Sequence, residues 1–333
     1  MPRLRRVSPN RPGWTRRRRG RGFAYLDETG RPLAEDDVAR CRALTIPPAW
    51  RDVWICPLAN GHLQATGTDD AGRRQYLYHP AWRERRDKAK FERVLAFAAR
   101  LPRARIVVAD HLALPGMPRE RALGTAFRLL DLGFFRIGGE EYAEDNGSYG
   151  LATIEKRHAH VEDGSIVFEY PAKSGQERLV AVADDAVRAA VIDLRRRRGG
   201  GPELLAYQDG RRWRDVSSND INSYLKTIVG GEVSAKDFRT WHGTVLAAVA
   251  LAEAGDGVTS QRGRTRAVRT AMSDVAEYLG NTPRIARRSY VDPRVIDLFE
   301  SGVTIAPSVR RATISGADRE RVERAVLRML RAR

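Results

Sequence analysis

The chain has 333 residues, 42% of them hydrophobic and 30% charged, the balance of a globular protein with a core and a length that suggests about two domains. Lys+Arg 59 against Asp+Glu 42 leave a formal charge of +17, and only six of the cations are lysine. The surface is therefore rich in arginine, which pairs with phosphate bidentately, and the excess is the electrostatic footprint of a nucleic-acid binder. On charge alone, other acidic substrates or anionic lipid stay open. The two cysteines, Cys41 and Cys56, exclude a disulfide framework and a Cys-rich zinc site. No apolar run approaches the roughly 18 residues of a membrane span, and the start MPRLRRVSPNRPGW lacks the apolar region of a signal peptide. A cytoplasmic protein in a reducing compartment is expected. GxxxxGK[ST], HExxH and GxSxG are absent, so an ATP-driven motor, a zincin and an α/β-hydrolase have no motif support.

In chain order, residues 1–22 carry Arg16-Arg17-Arg18-Arg19 and read as a basic arm, either solvated or phosphate-contacting. FAYLDETGRPL predicts strand, turn and strand. AEDDVARCRALTI predicts a short amphipathic helix stopped by Pro47-Pro48. DVWICPLANGHLQATGTDDAGRRQYLYH predicts three short strands, with turns at Asn60-Gly61 and Asp70-Ala71-Gly72. A helix follows from about Pro80 to Leu101; Pro102 should break it and mark a domain boundary. Beyond it, GMPRERALGTAFRLLDLG has helical periodicity ending at Gly133. GSYGLATIEKRHAHVEDGSIVFEYPAKSGQERLVAV alternates like strands, with turns at Asp163-Gly164 and Lys173-Ser174-Gly175. Helices are expected at 184–197, 218–229, 234–254, 268–279, 283–291, 293–300 and 316–331, and loops at 195–201 and 255–267. The apolar positions of the last helix should pack on the core.

Several short segments can carry chemistry. Ser234 and Asp237 form an S-x-x-D helix start that places Arg239 in the first turns, where a helix N-terminus favours anions. Read alone, this is more often an ordinary exposed arginine on a helix face than a phosphate pocket. In Leu279-Gly280-Asn281-Thr282-Pro283 the glycine ends one helix and the proline opens the next, with Asn281 or Thr282 as a cap. Nine residues after Asn281, RRSYVDP sets Tyr290 behind two arginines, where a tyrosine is either packing or a nucleophile. Phe134-Phe135-Arg136-Ile137-Gly138-Gly139 directly follows a helix end. Lys173 sits at a predicted hairpin tip, as a solvated lysine or a mobile proton donor. His158 and His160 have no third ligand in sequence and read as ordinary strand or loop residues.

In this order (arginine, hairpin lysine, K-x-x-R-T at a helix start, LGNTP, tyrosine nine residues on) the chain resembles the type IB DNA topoisomerases, specifically the poxvirus-like and bacterial enzymes. The resemblance runs from about Pro12 to Phe299. IPPAWRDVWICPLANGHLQATGTDDAGRRQYLYHPAWRERRDKAKFERV is similar to the family's DNA-clamping domain, and GWTRRRRGRGFAYLD to its start. The fold implied is α+β: a small β-rich N-terminal domain and a larger, mainly helical catalytic domain of the tyrosine recombinase/type IB topoisomerase type. The expected division is a basic arm at 1–22, a clamping domain at 23–102 and a catalytic domain at 103–333, closing around DNA as a monomer.

By matching position, the resemblance implies catalytic arginines Arg136 and Arg239, general acid Lys173 (in AKSG, where relatives often have GKSG) and nucleophile Tyr290. Asn281 stands where the family has a histidine, a variant common in bacterial members; it would add a neutral hydrogen bond from its amide. DNA contacts would fall on Gln75, Tyr76, Tyr78 and Tyr142. The implied reaction attacks a DNA phosphodiester with Tyr290 Oη, forms a 3′-phosphotyrosyl link, lets the nicked strand swivel and reseals it, with no metal, ATP or other cofactor. A free tyrosine, with pKa about 10, is a poor nucleophile at neutral pH, and nearby guanidiniums favour its phenolate. The partner is duplex DNA, with no membrane, and the setting a bacterial cytoplasm and nucleoid. A site-specific tyrosine recombinase is the alternative. Recombinases usually have H-x-x-R where this chain has Lys236-Asp-Phe-Arg239, and a helical N-terminal domain rather than a β-rich stretch at 23–78. A third reading is a basic DNA-binding protein with a dead site, although every expected catalytic position holds a competent residue.

Overall fold

Short alternating strands with tight turns build the N-terminal part of the chain. The computed structural model describes residues 3–139, 147–172, 175–255, 258, 260–305 and 317–332. It divides into two compact units, 1–91 and 92–333. In the first, β1 (Trp14–Arg19), β2 (Gly22–Leu26), β3 (Arg51–Ile55), β4 (Leu63–Thr68) and β5 (Arg74–Tyr78) form an antiparallel sheet of order β2-β1-β3-β4-β5. One helix, α1 (Glu35–Ala43), adds Cys41 to a small core of Trp14, Tyr25, Ile46, Val53, Ile55 and Ala65.

The expected basic arm is therefore not separate: its residues 14–19 are a strand of this sheet. Arg16 explains why. Its guanidinium donates to the carbonyls of Ile46 (2.9 Å), Pro47 (2.8 Å) and Trp50 (3.0 Å) and lies 4.0 Å from the Phe23 ring centroid. Arg17, Arg18 and Arg19 remain exposed. The second strand expected in FAYLDETGRPL reduces to a single bridge between Leu26 and Pro32.

The helix α2 (Pro80–Leu112) does not break at Pro102 but runs through it, and the two units divide earlier, at Phe91/Glu92. An internal proline costs about 3 kcal/mol. Val94, Leu95, Ala98, Leu101, Ala104 and Val108 bury one stripe of this helix, each larger side chain contributing about 1.5–3 kcal/mol, so packing outweighs the lost hydrogen bond.

The second unit is mainly helical. It adds α3 (Arg119–Gly133), α4 (Asp185–Arg196), α5 (Ser218–Val229), α6 (Ala235–Gly255), α7 (Gln261–Leu279), α8 (Pro283–Ser289), α9 (Pro293–Glu300) and α10 (Ala317–Arg331). A three-stranded antiparallel sheet of β6 (Ala159–Glu162), β7 (Ser165–Ala172) and β8 (Gln176–Val182) packs with them. Its β6–β7 turn is Asp163-Gly164, both at positive φ, the geometry that a two-residue hairpin prefers. A further hairpin, β9 (Ala206–Asp209) with β10 (Arg212–Asp215), was not expected; Asp209-Gly210 was its turn signal. The expected loop at 255–267 is helical from Gln261, because the Ser260 hydroxyl caps the Gly263 N–H at 3.1 Å.

The central element is α6, buried on nearly all sides from Ala235 to Ala252. Beside it lies a closed ionic network. Arg105 on α2 donates to both oxygens of Asp131 (2.9 Å each) and to Glu323 (2.7 and 2.9 Å). Arg319 donates to Asp131 (2.7 Å), Glu323 (3.0 Å) and His242 Nε2 (3.0 Å). Val322, Val326 and Leu330 of α10 are buried in the same core, as its pattern predicted. Among the described residues, no helix is long and apolar enough to cross a membrane.

Candidate active site

Helix α7 ends at a glycine, and its last carbonyls gather the site. Gly280 adopts the left-handed conformation (φ +58°). Its N–H bonds to Glu277 O (3.1 Å) and the Asn281 N–H to Ala276 O (2.8 Å), a Schellman C-terminus. A helix end leaves carbonyls unsatisfied and carries partial negative charge. Three arginines, from β8, from α6 and from the segment after α3, answer it. Arg178 on β8 donates to the carbonyls of Glu277 (3.3 Å) and Tyr278 (2.8 Å). Arg239 on α6 donates to Leu279 O (2.6 Å). Arg136 donates to Gly280 O (2.5 Å) and to Asn281 Oδ1 (3.2 Å).

The chain that carries Arg136 is fixed by its backbone, and Arg239 by a contact from the same turn. Arg136 follows a reversal in which Phe134 takes a left-handed φ of 56°, rare for a non-glycine residue and found where function requires it. That turn aims the Phe134 carbonyl at Arg239, which donates to it. Phe135 is buried against Phe168 and Tyr170. The Arg136 carbonyl accepts the Leu151 N–H (2.8 Å) and that of Ile137 the Ala152 N–H (2.7 Å). Here Gly138 and Gly150 touch backbone to backbone: a Cβ on Gly150 would lie 2.4 Å from Gly138 N. Arg239 is only 4% exposed. It sits one turn into α6, whose start is held as expected by Asp237 accepting from the Ser234 N–H (2.9 Å) and hydroxyl (3.1 Å).

Tyr290 ends α8, half-buried, with its ring centroid 5.1 Å from the Arg239 guanidinium carbon. Thr282, rather than Asn281, caps α8, its hydroxyl accepting the Ile285 N–H at 3.4 Å. Asn281 Nδ2 donates to Leu279 O (3.3 Å), so its amide is engaged within the protein. The structure thus brings Arg136, Arg239, Asn281 and Tyr290 together. It adds Arg178, which sequence reasoning missed although it lies on the same predicted hairpin as Lys173. Lys173 and Tyr142 lie outside the described residues.

No carboxylate is paired with Arg136, Arg178 or Arg239 among the described residues. Burial pushes Arg239 down to about 10, against the opposing pull of Tyr290, and lowers Arg136 for the same reason. The Arg239 Nε has no partner among the described residues. A desolvated guanidinium without a counter-ion favours an incoming anion.

In the first unit, strand alternation puts Tyr76 and Tyr78 on one face of β5, 48% and 36% exposed with rings stacked at 6.2 Å. Gln75 falls on the other face, half-buried, donating to Asp69 (2.9 Å). The structure therefore does not bring Gln75 together with the two tyrosines.

Residues 79–298 match the family model described as "Eukaryotic DNA topoisomerase I, catalytic core", and residues 22–69 the "Bacterial DNA topoisomerase IB, N-terminal domain". The chain belongs to the type IB DNA topoisomerases. The DNA topoisomerase 1B of Acanthamoeba polyphaga mimivirus is 27% identical over 284 residues, which cover 83% of this chain and 84% of that protein. Membership makes the chain an isomerase acting on DNA, and the arginine cluster with its tyrosine lies wholly within the matched core.

Proposed function

We propose that the chain relaxes supercoiled duplex DNA through a 3′-phosphotyrosyl intermediate, without metal or ATP, as a monomer of the bacterial nucleoid. The observation that carries this reading is the set of arginines around Tyr290 that, among the described residues, have carbonyl partners but no carboxylate. Tyr290 Oη releases its proton to solvent and attacks the scissile phosphorus; the P–O5′ bond breaks and the 5′-oxygen leaves. Arg136 and Arg239 stabilise the extra negative charge on the non-bridging oxygens, one such preorganised donor being worth about 3–4 kcal/mol. Lys173 protonates the departing 5′-oxygen, help typically worth about 10²–10⁴-fold. Asn281 orients Arg136 through its Oδ1 and, with one amide N–H on the Leu279 carbonyl, offers the other to phosphate. The diester bond energy is kept in the phosphotyrosine, so the free strand swivels and is resealed by the reverse step. Tyr76 and Tyr78, exposed on one strand face, supply aromatic contacts to DNA, and Gln75 and Tyr142 contribute further contacts.

The test is relaxation of negatively and positively supercoiled plasmid in excess EDTA without nucleotide. Wild type should relax both; Tyr290→Phe should form no covalent complex yet bind DNA nearly as well. Cleavage by Tyr290→Phe would move the nucleophile elsewhere. No wild-type relaxation alongside cutting at one particular sequence would favour a site-specific recombinase. For Lys173, a 5′-thiolate leaving group needs no proton, so Lys173→Ala should be far less impaired on that substrate; equal defects on both would deny it the acid role.

A further inference from the structure

We propose that Gly243 and Thr244 are positioning residues that fix Tyr290 in register with Arg239; the inference rests on Tyr290 being the nucleophile. Arg239 and Gly243 lie one turn apart on α6, hence on one face. A Cβ on Gly243 would stand 2.8 Å from the Tyr290 carbonyl oxygen and 3.2 Å from Tyr290 Cβ. The backbone of Tyr290 thus rests directly on the helix, at the one residue type that allows it. Thr244, 1% exposed, holds the chain on either side of the buried Val291. Its hydroxyl accepts the Asp292 N–H at 3.1 Å and shares its proton between the carbonyls of Thr240 (2.8 Å) and Tyr290 (3.3 Å). Asp292 in turn caps α9 through the Arg294 N–H (3.0 Å), so this grip also sets where the chain leaves the site.

The consequence is a ruler. Helix α6 is buried nearly all round and cannot slide, and it carries both the guanidinium and the seat of the tyrosine. The separation of Arg239 from Tyr290 is then set by one helical turn. A misplacement of about 1 Å at a reacting group can lower a rate about 10²-fold.

The experiment measures single-turnover covalent-complex formation by the full chain on a suicide DNA substrate, with DNA affinity determined separately. Thr244→Val keeps the shape and removes the hydroxyl; Thr244→Ser keeps the hydroxyl. Thr244→Val should cleave about tenfold more slowly, and Gly243→Ala about 10²-fold, with DNA affinity within about twofold of wild type in both. Thr244→Ser should recover most of the loss, which a general packing role would not predict, since serine lacks the methyl group. In an Arg239→Ala background the Thr244→Val effect should shrink, because both residues act on one alignment. Wild-type cleavage by Thr244→Val, or full additivity with Arg239→Ala, would overturn the proposal while Tyr290→Phe stays inactive. Covalent complex formed by Tyr290→Phe would instead remove the nucleophile assignment beneath it. Should Gly243→Ala not fold, the two Thr244 variants decide.

Discussion

The second unit holds two groups of arginines, treated in opposite ways. Arg105 and Arg319 meet Asp131 and Glu323 through paired hydrogen bonds, and Asp131 is 1% exposed. Among the described residues, Arg136, Arg178 and Arg239 meet no carboxylate: they donate to main-chain carbonyls at the end of α7, Arg136 also to the Asn281 side chain and Arg239 also to the Phe134 carbonyl. The electrostatic signatures diverge accordingly. Burial opposes the charge on Arg105, but Asp131 and Glu323 together raise its pKa, and burial lowers those of Arg136 and Arg239. Carbonyl dipoles orient a guanidinium without neutralising it. The fold thus completes the first group internally and, among the described residues, leaves the second oriented but uncompensated, the state suited to a phosphodiester.

The sharpest way to break this comparison is to remove one member from each group. Asp131→Ala should lower unfolding free energy by about 3–5 kcal/mol, since it leaves two buried guanidiniums to share the single carboxylate of Glu323; a urea midpoint equal to wild type would show the network to be dispensable. Arg239→Ala should weigh on the reaction instead, slowing covalent-complex formation about 10²–10³-fold while costing less stability than Asp131→Ala, since it frees main-chain carbonyls rather than leaving a buried charge short of its partner. A collapse in stability there would place Arg239 among the structural arginines. Arg178→Ala should be milder, because its charged hydrogen bonds to the helix end contribute about 1.5–3 kcal/mol when buried and it is half-exposed; cleavage several-fold slower, with α7 fraying faster in amide exchange, is the expected result.

The pH dependence separates the groups further. Arg319 and Arg105 hold the Asp131 carboxyl well below the usual range, against the burial that opposes its charge. Its stabilisation is therefore complete above the ordinary carboxylate value of about 3.9 and is lost as pH falls through the depressed folded value. Stability of Asp131→Asn should accordingly fall less steeply than wild type below about pH 4, as read by urea titrations. The smallest effect concerns free anions. Sulfate at ten times its dissociation constant should stabilise wild type by about 1.4 kcal/mol through the uncompensated group, beyond the general salt effect seen in Arg239→Ala. Identical sulfate responses in the two proteins would argue against anion binding there.

How much of this was legible depends on the range of each interaction. Arg239, Asn281 and Tyr290 announce themselves because each lies within a short motif at an element boundary, where cap chemistry is local. The role of Arg136 came from family resemblance alone, and its convergence on Gly280, 144 residues away, is encoded by no local periodicity. Arg178 stayed hidden for that reason: its partners are backbone carbonyls, which carry no sequence signal. The glycine inside α6 was visible, but the chain that rests on it was not. Pro102 misled because its local penalty is real and the burial that outweighs it is tertiary. The helical start at Gln261 was masked by the polar run QRGRTR, and the hairpin at 206–215 by strands only four residues long.

The crossing of Gly138 and Gly150 carries a consequence for genetic variation. The two backbones touch where any side chain would begin, and Gly138 also has a φ of +79°. Every missense change at either codon, whatever base is altered, introduces a Cβ at a place with no room for one. These two positions should therefore behave in a mutational scan like catalytic residues, with no tolerated replacement in the segment that aims Arg136.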